Sequence, residues 1–227
     1  MKVQERLINY VTVRTPSNEE SETVPSSMCQ FDLARKLEKE MQELGLTEVV
    51  LDDKCYLYGK LPATEGKENI PAIGFIAHMD TVSDFCDHEI HPIITENYDG
   101  GELTLGTSGL ILNPKEFPHL AELKGRTLIT SDGTTILGAD DKAGIAEILT
   151  AKLPHGTICV AFTPDEEIGM GAEHFDLEQF GAEYAYTLDG DSEGEIQYEN
   201  FNACKAEFEI RGFNVHPGEG KDTMINA

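Results

Sequence analysis

The sequence predicts an α/β fold in which helices flank a mostly parallel β-sheet. Three apolar runs with the branched and aromatic residues of buried strands support this fold, at residues 70–77, 156–163 and 184–188. Continuous apolar runs are typical of strands that are covered on both faces, as in parallel sheets. Each run is followed within two residues by a histidine or by acidic residues. Since ligands bind beyond the carboxyl ends of the strands in open α/β sheets, a functional site is expected at that edge.

The helices are predicted from apolar residues at helical spacing. One helix is expected within residues 1–10, and another follows a capping segment at residues 25–27 and ends at Gly45. A third, over residues 140–151, would make about three turns. Residues 84–106 are rich in polar and turn residues, which predicts a hairpin or a long loop beside the site.

His78 and Asp80 follow the first apolar run. Two residues apart in an extended segment, they would project to the same side, so that one could bind a metal ion while the other orients the imidazole. Taken alone, a histidine at a strand end is more often an ordinary hydrogen-bonded polar residue. The residues that follow the other two strands favour the metal interpretation.

Acidic residues follow the second and third strands and open the third helix; they are Glu166, Glu167, Asp189, Asp140 and Asp141. Each has an ordinary alternative: an aspartate could cap the helix, the glutamates could form a solvated first turn, and Asp189 could belong to a simple loop. These alternatives do not explain why so many acids gather at one sheet edge, since close carboxylates repel unless protons or cations intervene. A pair of divalent ions about 3.5–4 Å apart would remove that repulsion.

The donor types indicate which metal such a site would hold. No cysteine lies near these positions in the sequence, so the ligands would be imidazole and carboxylate groups, which suit zinc, cobalt or manganese. Zinc is favoured. It would activate a water molecule for hydrolysis, and one of the adjacent residues Glu166 and Glu167 could serve as the base.

Four motifs lie in order along the chain: His78-Met79-Asp80-Thr81, Gly138-Ala139-Asp140-Asp141-Lys142-Ala143-Gly144, Asp165-Glu166-Glu167-Ile168-Gly169 and Asp189. Together they resemble the di-zinc metallopeptidase family that includes carboxypeptidase G and acetylornithine deacetylase. The resemblance covers nearly the whole chain. Several motifs in the right order and spacing make it far more specific than a single His-x-Asp.

The resemblance implies two zinc ions and four protein ligands, which are His78, Asp140, Glu167 and Asp189. Asp140 would bridge the two ions, and the family often has a cis peptide after this residue. His78 and Asp189 would complete the coordination of the first ion, and Glu167 would bind the second.

Three further roles are implied by the same resemblance. Glu166 would be the general base and acid, and Asp80 would orient the imidazole of His78. His216 would reach the substrate from a lid domain and help to stabilise the oxyanion, commonly across a dimer interface. Without the resemblance, His216 would equally be a turn histidine before a proline.

A domain plan also follows from the resemblance. Residues 1–200 would form the catalytic metal-binding domain, and residues 201–227 would begin an α+β lid and dimerisation domain, through which a longer chain would form a homodimer. The family's second ion takes one more histidine from a region that would lie beyond Ala227, so the chain is expected to be the N-terminal portion of a longer protein. The link at residues 150–155 is shorter than is usual in the family.

Charge and composition argue against several partners. The 42 Asp and Glu residues against 17 Lys and Arg give a formal net charge of −25, which disfavours nucleic acid and anionic membranes. The five cysteines are odd in number and widely spaced, which favours a reducing compartment over a disulfide framework. The first residues lack the apolar segment of a signal peptide, so a cytoplasmic location is expected.

These expectations combine into one function with two alternatives. The resemblance implies a metal-dependent aminopeptidase that releases the N-terminal residue of tripeptides, so that its partner is a short peptide. The first alternative is a truncated, non-catalytic chain that keeps the fold and at most one metal ion. The second is a related dipeptidase or deacylase that uses the same metals and base.

Overall fold

A computed structural model describes residues 1–190, 193–199, 202–204, 206–213, 215–216, 221–222 and 224–225. The chain divides into two units, Met1–Asp191 and Ser192–Ala227. The helices and strands named below lie in the first unit. In the second unit, Phe213 and Ile225 pair through an isolated antiparallel bridge. The domain boundary after residue 200 stays a prediction.

The first unit contains both helices and strands. In the described part of the chain the helices are α1 (Val3–Val11), α2 (Gln30–Glu43), α3 (Lys142–Ile148) and α4 (Leu177–Phe180). The strands are β1 (Thr47–Leu51), β2 (Leu57–Leu61), β3 (Ile73–His78), β4 (Ile93–Thr95), β5 (Leu103–Thr104), β6 (Ile111–Leu112), β7 (Leu128–Thr130), β8 (Ile158–Thr163) and β9 (Tyr184–Thr187). Residues 84–106 contain β4, which pairs with β7, and β5, which forms a hairpin with β6.

The central sheet has the strand order β1-β2-β8-β3-β9. The pairs β3–β8 and β3–β9 are parallel, whereas β1–β2 and β2–β8 are antiparallel. The predicted α/β fold is confirmed, and the sheet itself is mixed. Its antiparallel half begins with the β1–β2 hairpin, in whose turn Asp52 Oδ1 accepts the N–H groups of Lys54 and Tyr56. A tight hairpin joins only antiparallel strands.

The parallel half of the sheet brings three strand ends to one edge. His78 at the end of β3 lies opposite Thr163 at the end of β8, and Ile76 lies opposite Thr187 at the end of β9. The residues that follow these strands therefore emerge close together, as the sequence predicts.

Alternate residues of β8 enter two apolar clusters on opposite faces of the sheet. The larger cluster lies beneath the three longer helices and includes Tyr10, Leu33, Leu37, Met41, Leu57, Ile145, Val160 and Phe162. The smaller one includes Tyr56, Tyr58, Cys159, Ala161 and Phe180. Both predicted N-terminal helices are confirmed, as α1 and α2. The predicted cap of α2 is wrong, because the N-cap is Cys29 and Ser26 is buried against Asp165 instead.

The third predicted helix is shorter than expected, since α3 spans Lys142–Ile148 rather than residues 140–151. It begins late because Asp141 is the N-cap: its backbone is not helical, and its Oδ1 accepts the N–H of Gly144 at 3.1 Å. Residues 151–155 form no regular structure.

Gly144 lies where α3 approaches the end of β9. A Cβ atom there would overlap the carbonyl oxygen of Leu188 and the carboxylate of Asp141. Alanine is preferred over glycine in a free helix by about 1 kcal/mol, but this overlap should make Gly144→Ala lower the free energy of unfolding by about 1–3 kcal/mol. Urea unfolding measures the change. Gly190→Ala is the control, since nothing lies within 4 Å of its Cβ position; equal stability of the two variants would contradict the close packing.

Candidate metal centre

His78 lies at the centre of an acidic cluster at the sheet edge. Its side chain is 3% exposed, and its Nε2 lies 2.9 Å from Asp140 Oδ1. The same nitrogen lies 3.7 Å from Glu166 Oε2 and 3.9 Å from Asp189 Oδ2. One ring nitrogen thus faces carboxylates from three separate segments of the chain.

Two groups of three residues bring their potential ligand atoms within 4.8 Å of one another: His78, Glu166 and Asp189 form one, and His78, Asp140 and Glu167 form the other. The structure therefore brings together the four residues predicted as ligands and the residue predicted as the base. The grouping differs from that implied by the resemblance, in which Asp140 and Asp189 share the first ion. Both groups contain His78.

The two consecutive aspartates occupy different environments. Asp141 is buried and caps α3, whereas the side chain of Asp140 is 71% exposed and contacts His78. The peptide bond between the aspartates is cis. Of the two alternatives raised by the sequence, the helix cap belongs to Asp141, and Asp140 is the candidate ligand.

Asp80 is fully buried and makes contacts in two directions. His78 Nδ1 lies 3.0 Å from the carbonyl oxygen of Asp80 and 3.4 Å from its Oδ1. The two carboxylate oxygens accept the backbone N–H groups of Glu166, at 3.0 Å, and Glu167, at 3.1 Å. This geometry lets Asp80 orient the imidazole, as the resemblance implies. It also lets Asp80 hold the turn that carries both glutamates, a role that the sequence alone does not reveal.

Burial and mutual charge shift the pKa values of the cluster. Burial alone would lower the pKa of His78, but the hydrogen bond and charge of Asp80 and the charges of Asp141 and Glu166 raise it to about 10. Burial raises the pKa of Asp141 to about 8. Burial also raises the pKa of Glu166 and of Glu167, with the charge of His78 opposing both shifts. Without a cation, the cluster therefore keeps His78 protonated at neutral pH.

Binding of a divalent ion should therefore release protons. An ion at the imidazole needs the neutral form, whereas the pKa of about 10 keeps His78 protonated in the metal-free chain. The affinity for Zn²⁺ should consequently fall about tenfold per pH unit from about pH 8 to pH 6. At neutral pH, about one proton should be released for each ion bound. Calorimetry in two buffers of different ionisation enthalpy measures this release. Binding that is independent of pH would contradict the electrostatics.

Two buried residues without a predicted role tie the segment after α1 to its neighbours. Lys142 is fully buried, and its Nζ donates to the carbonyl oxygen of Val13 at 2.7 Å. Thr15 Oγ donates to the carbonyl oxygen of Met79 at 2.7 Å. Burial lowers the pKa of Lys142 to about 8. In the sequence, the position of Lys142 directly after the two aspartates is the feature that draws attention to it. No sequence pattern identifies the carbonyl oxygen of Val13 as its hydrogen-bond partner.

His216 lies in the second unit, where its side chain is exposed. Its neighbours Asn214, Pro217 and Gly218 lie outside the described residues. The role of His216 in substrate binding therefore stays a prediction.

The donor set fits a divalent ion of the zinc type. An imidazole nitrogen and carboxylate oxygens converge, and Asp141 Oδ2 is buried without a hydrogen-bond partner among the described residues. Nitrogen and carboxylate ligands of this kind suit zinc, cobalt or manganese. A bound cation would also relieve the repulsion among the acids.

Curated proteins similar to this chain carry the name peptidase T, although no protein-family model matches. The chain is 55% identical over 234 residues to peptidase T of Desulfitobacterium hafniense and 52% identical over 232 residues to that of Geobacillus thermodenitrificans. The alignments cover 99% and 98% of this chain. They cover 57% and 56% of the relatives, so the chain spans somewhat more than half of their length.

Solved structures show the same likeness. The aminopeptidase PepT from Bacillus cereus is 31% identical, with a TM-score of 0.58 over 84% of this chain and 43% of the other. A tripeptidase from Staphylococcus aureus is 25% identical, with the same TM-score and coverage. The chain is therefore a homologue of the peptidase T proteins and matches just over half of their length.

Proposed function

We propose that the chain is the metal-binding part of a peptidase that releases the N-terminal residue of tripeptides. The observation that carries the proposal is the convergence of one histidine and four acids at one sheet edge: His78, Asp140, Glu166, Glu167 and Asp189. The likeness to peptidase T, to the aminopeptidase PepT and to a tripeptidase supports the reaction and the substrate class.

The ligand set of this proposal is the one implied by the resemblance, namely His78, Asp140, Glu167 and Asp189, with Asp140 shared by two ions. Zinc is the proposed metal, and cobalt or manganese would suit the same donors. Bound zinc would polarise a water molecule and the scissile carbonyl group, which brings hydrolysis within reach at neutral pH. Asp80 keeps His78 Nδ1 engaged, so that Nε2 faces the acids.

Glu166 is the proposed general base. Its side chain is 52% exposed, and its Oε2 lies 3.7 Å from His78 Nε2, so it borders the ligands while facing solvent. Its backbone N–H is held by Asp80. Burial raises the pKa of Glu166. Its carboxylate is therefore a stronger base than that of a fully exposed glutamate, which suits it to take a proton from water and return it to the leaving amine.

Substrate recognition is proposed to extend to the second unit. His216 would stabilise the oxyanion that develops on the scissile carbonyl group. Residues 201–227 would begin a lid domain through which a longer form of the protein makes a homodimer. The domain boundary near residue 200 belongs to the same proposal.

A cytoplasmic location is proposed from the cysteines. All five thiols are free, and Cys55, Cys86 and Cys159 are buried, which suits a reducing compartment. Within the described ranges, no helix combines the length and the apolar character needed to cross a membrane. The net charge of −25 disfavours binding to nucleic acid and to anionic membranes, because like charges repel.

A second candidate is a non-catalytic chain that binds at most one ion. The observation in its favour is that both ligand groups contain His78. Because its Nε2 can bind only one ion at a time, a second ion would depend on carboxylates alone among the described residues. Such a site would hold zinc less firmly than one with imidazole ligands to both ions.

Metal content and tripeptide hydrolysis separate the two candidates. Both should be measured on this chain and on the longest natural form that contains it. Two zinc ions with tripeptide hydrolysis in the longer form would support the peptidase. Faster hydrolysis of dipeptides or acylated amino acids would favour the related dipeptidase or deacylase. One ion or none, without hydrolysis in either form, would favour the non-catalytic chain.

A further inference from the structure

The two glutamates of the site lie on a turn, residues 164–170, that follows β8. The turn begins with Asp165 in the left-handed conformation, at φ +56° and ψ +28°. It is closed by a hydrogen bond of 2.9 Å from the N–H of Met170 to the carbonyl oxygen of Asp165. On one side, the carboxylate of Asp80 accepts the N–H groups of both glutamates.

Asp165 anchors the other side of this turn. Its side chain is buried, and its Oδ2 accepts the backbone N–H of Ser26 at 2.8 Å. Its Oδ1 accepts the hydroxyl of Ser26 at 2.5 Å and the Nε2 of Gln30 at 2.6 Å. Ser26 Oγ accepts in turn from the N–H of Asn18 at 2.9 Å. Neutral donors thus engage both oxygens of a buried carboxylate.

The anchor is tied to a rigid part of the fold. Gln30 is the first residue of α2 and is fully buried, and α2 packs Leu33 and Leu37 into the core. A buried carboxylate is costly unless it is hydrogen-bonded, so these donors fix the place of the Asp165 side chain. The turn is therefore hydrogen-bonded on both sides, by Asp80 to the backbone of the glutamates and by Asp165 to Ser26 and Gln30.

We propose that Asp165, held by Ser26 and Gln30, is a positioning residue that sets where Glu166 and Glu167 stand relative to His78. The inference rests on the proposed function, because it gives Asp165 a role through Glu167 as a metal ligand. A purely structural Asp165 would contribute to stability without a specific effect on the ligands.

The zinc affinity of this chain, measured by competition with a chromophoric chelator, tests the inference. Asp165→Asn keeps the size of the side chain and tolerates the left-handed backbone, but it places an amide donor where Ser26 or Gln30 also donates. We expect zinc binding to weaken about tenfold or more, as is usual when a residue that supports a metal ligand is lost.

A matched control is Tyr10→Phe, which removes a partly buried hydrogen bond of 2.6 Å to Glu40 between α1 and α2. It should lower the unfolding midpoint in urea while leaving zinc affinity unchanged. Should Asp165→Asn fail to fold, Ser26→Ala is the second variant, because it removes the hydroxyl donor to Asp165; it should weaken zinc binding in the same direction by a smaller factor.

A second background separates positioning from general destabilisation. If Asp165 acts through Glu167, then Asp165→Asn should have little further effect on zinc affinity in a chain that already carries Glu167→Ala. Equal losses in both backgrounds, or an unchanged affinity in Asp165→Asn, would overturn the inference and leave the metal centre intact. Absence of zinc from both the parent chain and the longest natural form would overturn the proposed function, and the inference with it.

Discussion

Glu166→Gln is expected to lower the turnover of tripeptides about 100- to 10,000-fold in the longest natural form of the chain, with both zinc ions still bound. Glutamine keeps the size of the side chain and its place on the turn held by Asp80, but it cannot accept a proton from water. Turnover and metal content should be measured on the same preparation.

The control for this variant is Glu178→Gln, an exposed glutamate in the first turn of α4. It removes a similar charge outside the cluster and should leave turnover unchanged. Normal turnover in Glu166→Gln would refute its assignment as the base. Loss of a zinc ion together with turnover would instead make Glu166 a metal ligand. The potential ligand atoms of Glu166, His78 and Asp189 lie close enough together for that role.

Asp140→Ala is expected to empty both metal positions. Its carboxylate lies 2.9 Å from His78 Nε2 and is proposed to be shared by two ions. Removing it should therefore weaken zinc affinity by more than the roughly 10- to 100-fold that is lost with a residue that only supports a ligand. Elemental analysis after dialysis against metal-free buffer measures the metal that remains. Glu178→Ala serves as the control. Two retained ions in Asp140→Ala would show that another carboxylate forms the bridge.

Much of the candidate site could be predicted from the sequence because it lies at strand ends. His78, Glu166 and Asp189 each come within a few residues of the end of an apolar run, and parallel strands end at the same edge of a sheet. An apolar run of the right length marks such an end without any knowledge of tertiary contacts.

The choice between neighbouring acids could not be made in the same way. Asp140 and Asp141 have the same side chain, and either could cap a helix. Their roles separate only through the backbone, which turns Asp141 into α3 and leaves Asp140 beside His78. The resemblance to the metallopeptidase family, rather than helix propensity, predicts Asp140 as the ligand, and that assignment stays a prediction.

Contacts between distant segments were beyond prediction for a different reason. The bonds from Ser26 and Gln30 to Asp165 join residues far apart in the chain, and no local pattern indicates which buried carboxylate a serine will meet. Ser26 has the sequence context of a helix cap, and tertiary packing overrides that preference. The β1–β2 hairpin was not predicted for another reason, because β1 is short and largely exposed and lacks the long apolar run of a buried strand.

The central claim is that the cluster around His78 is a metal centre, and anomalous X-ray diffraction at the zinc edge from zinc-loaded crystals tests it most directly. We predict a peak about 2.0–2.2 Å from His78 Nε2 and from a carboxylate oxygen of Asp140 or Asp189. In the longer form, a second peak should lie about 3.5–4 Å from the first, on the other side of Asp140. Zinc bound elsewhere, with no peak beside His78, would contradict the claim.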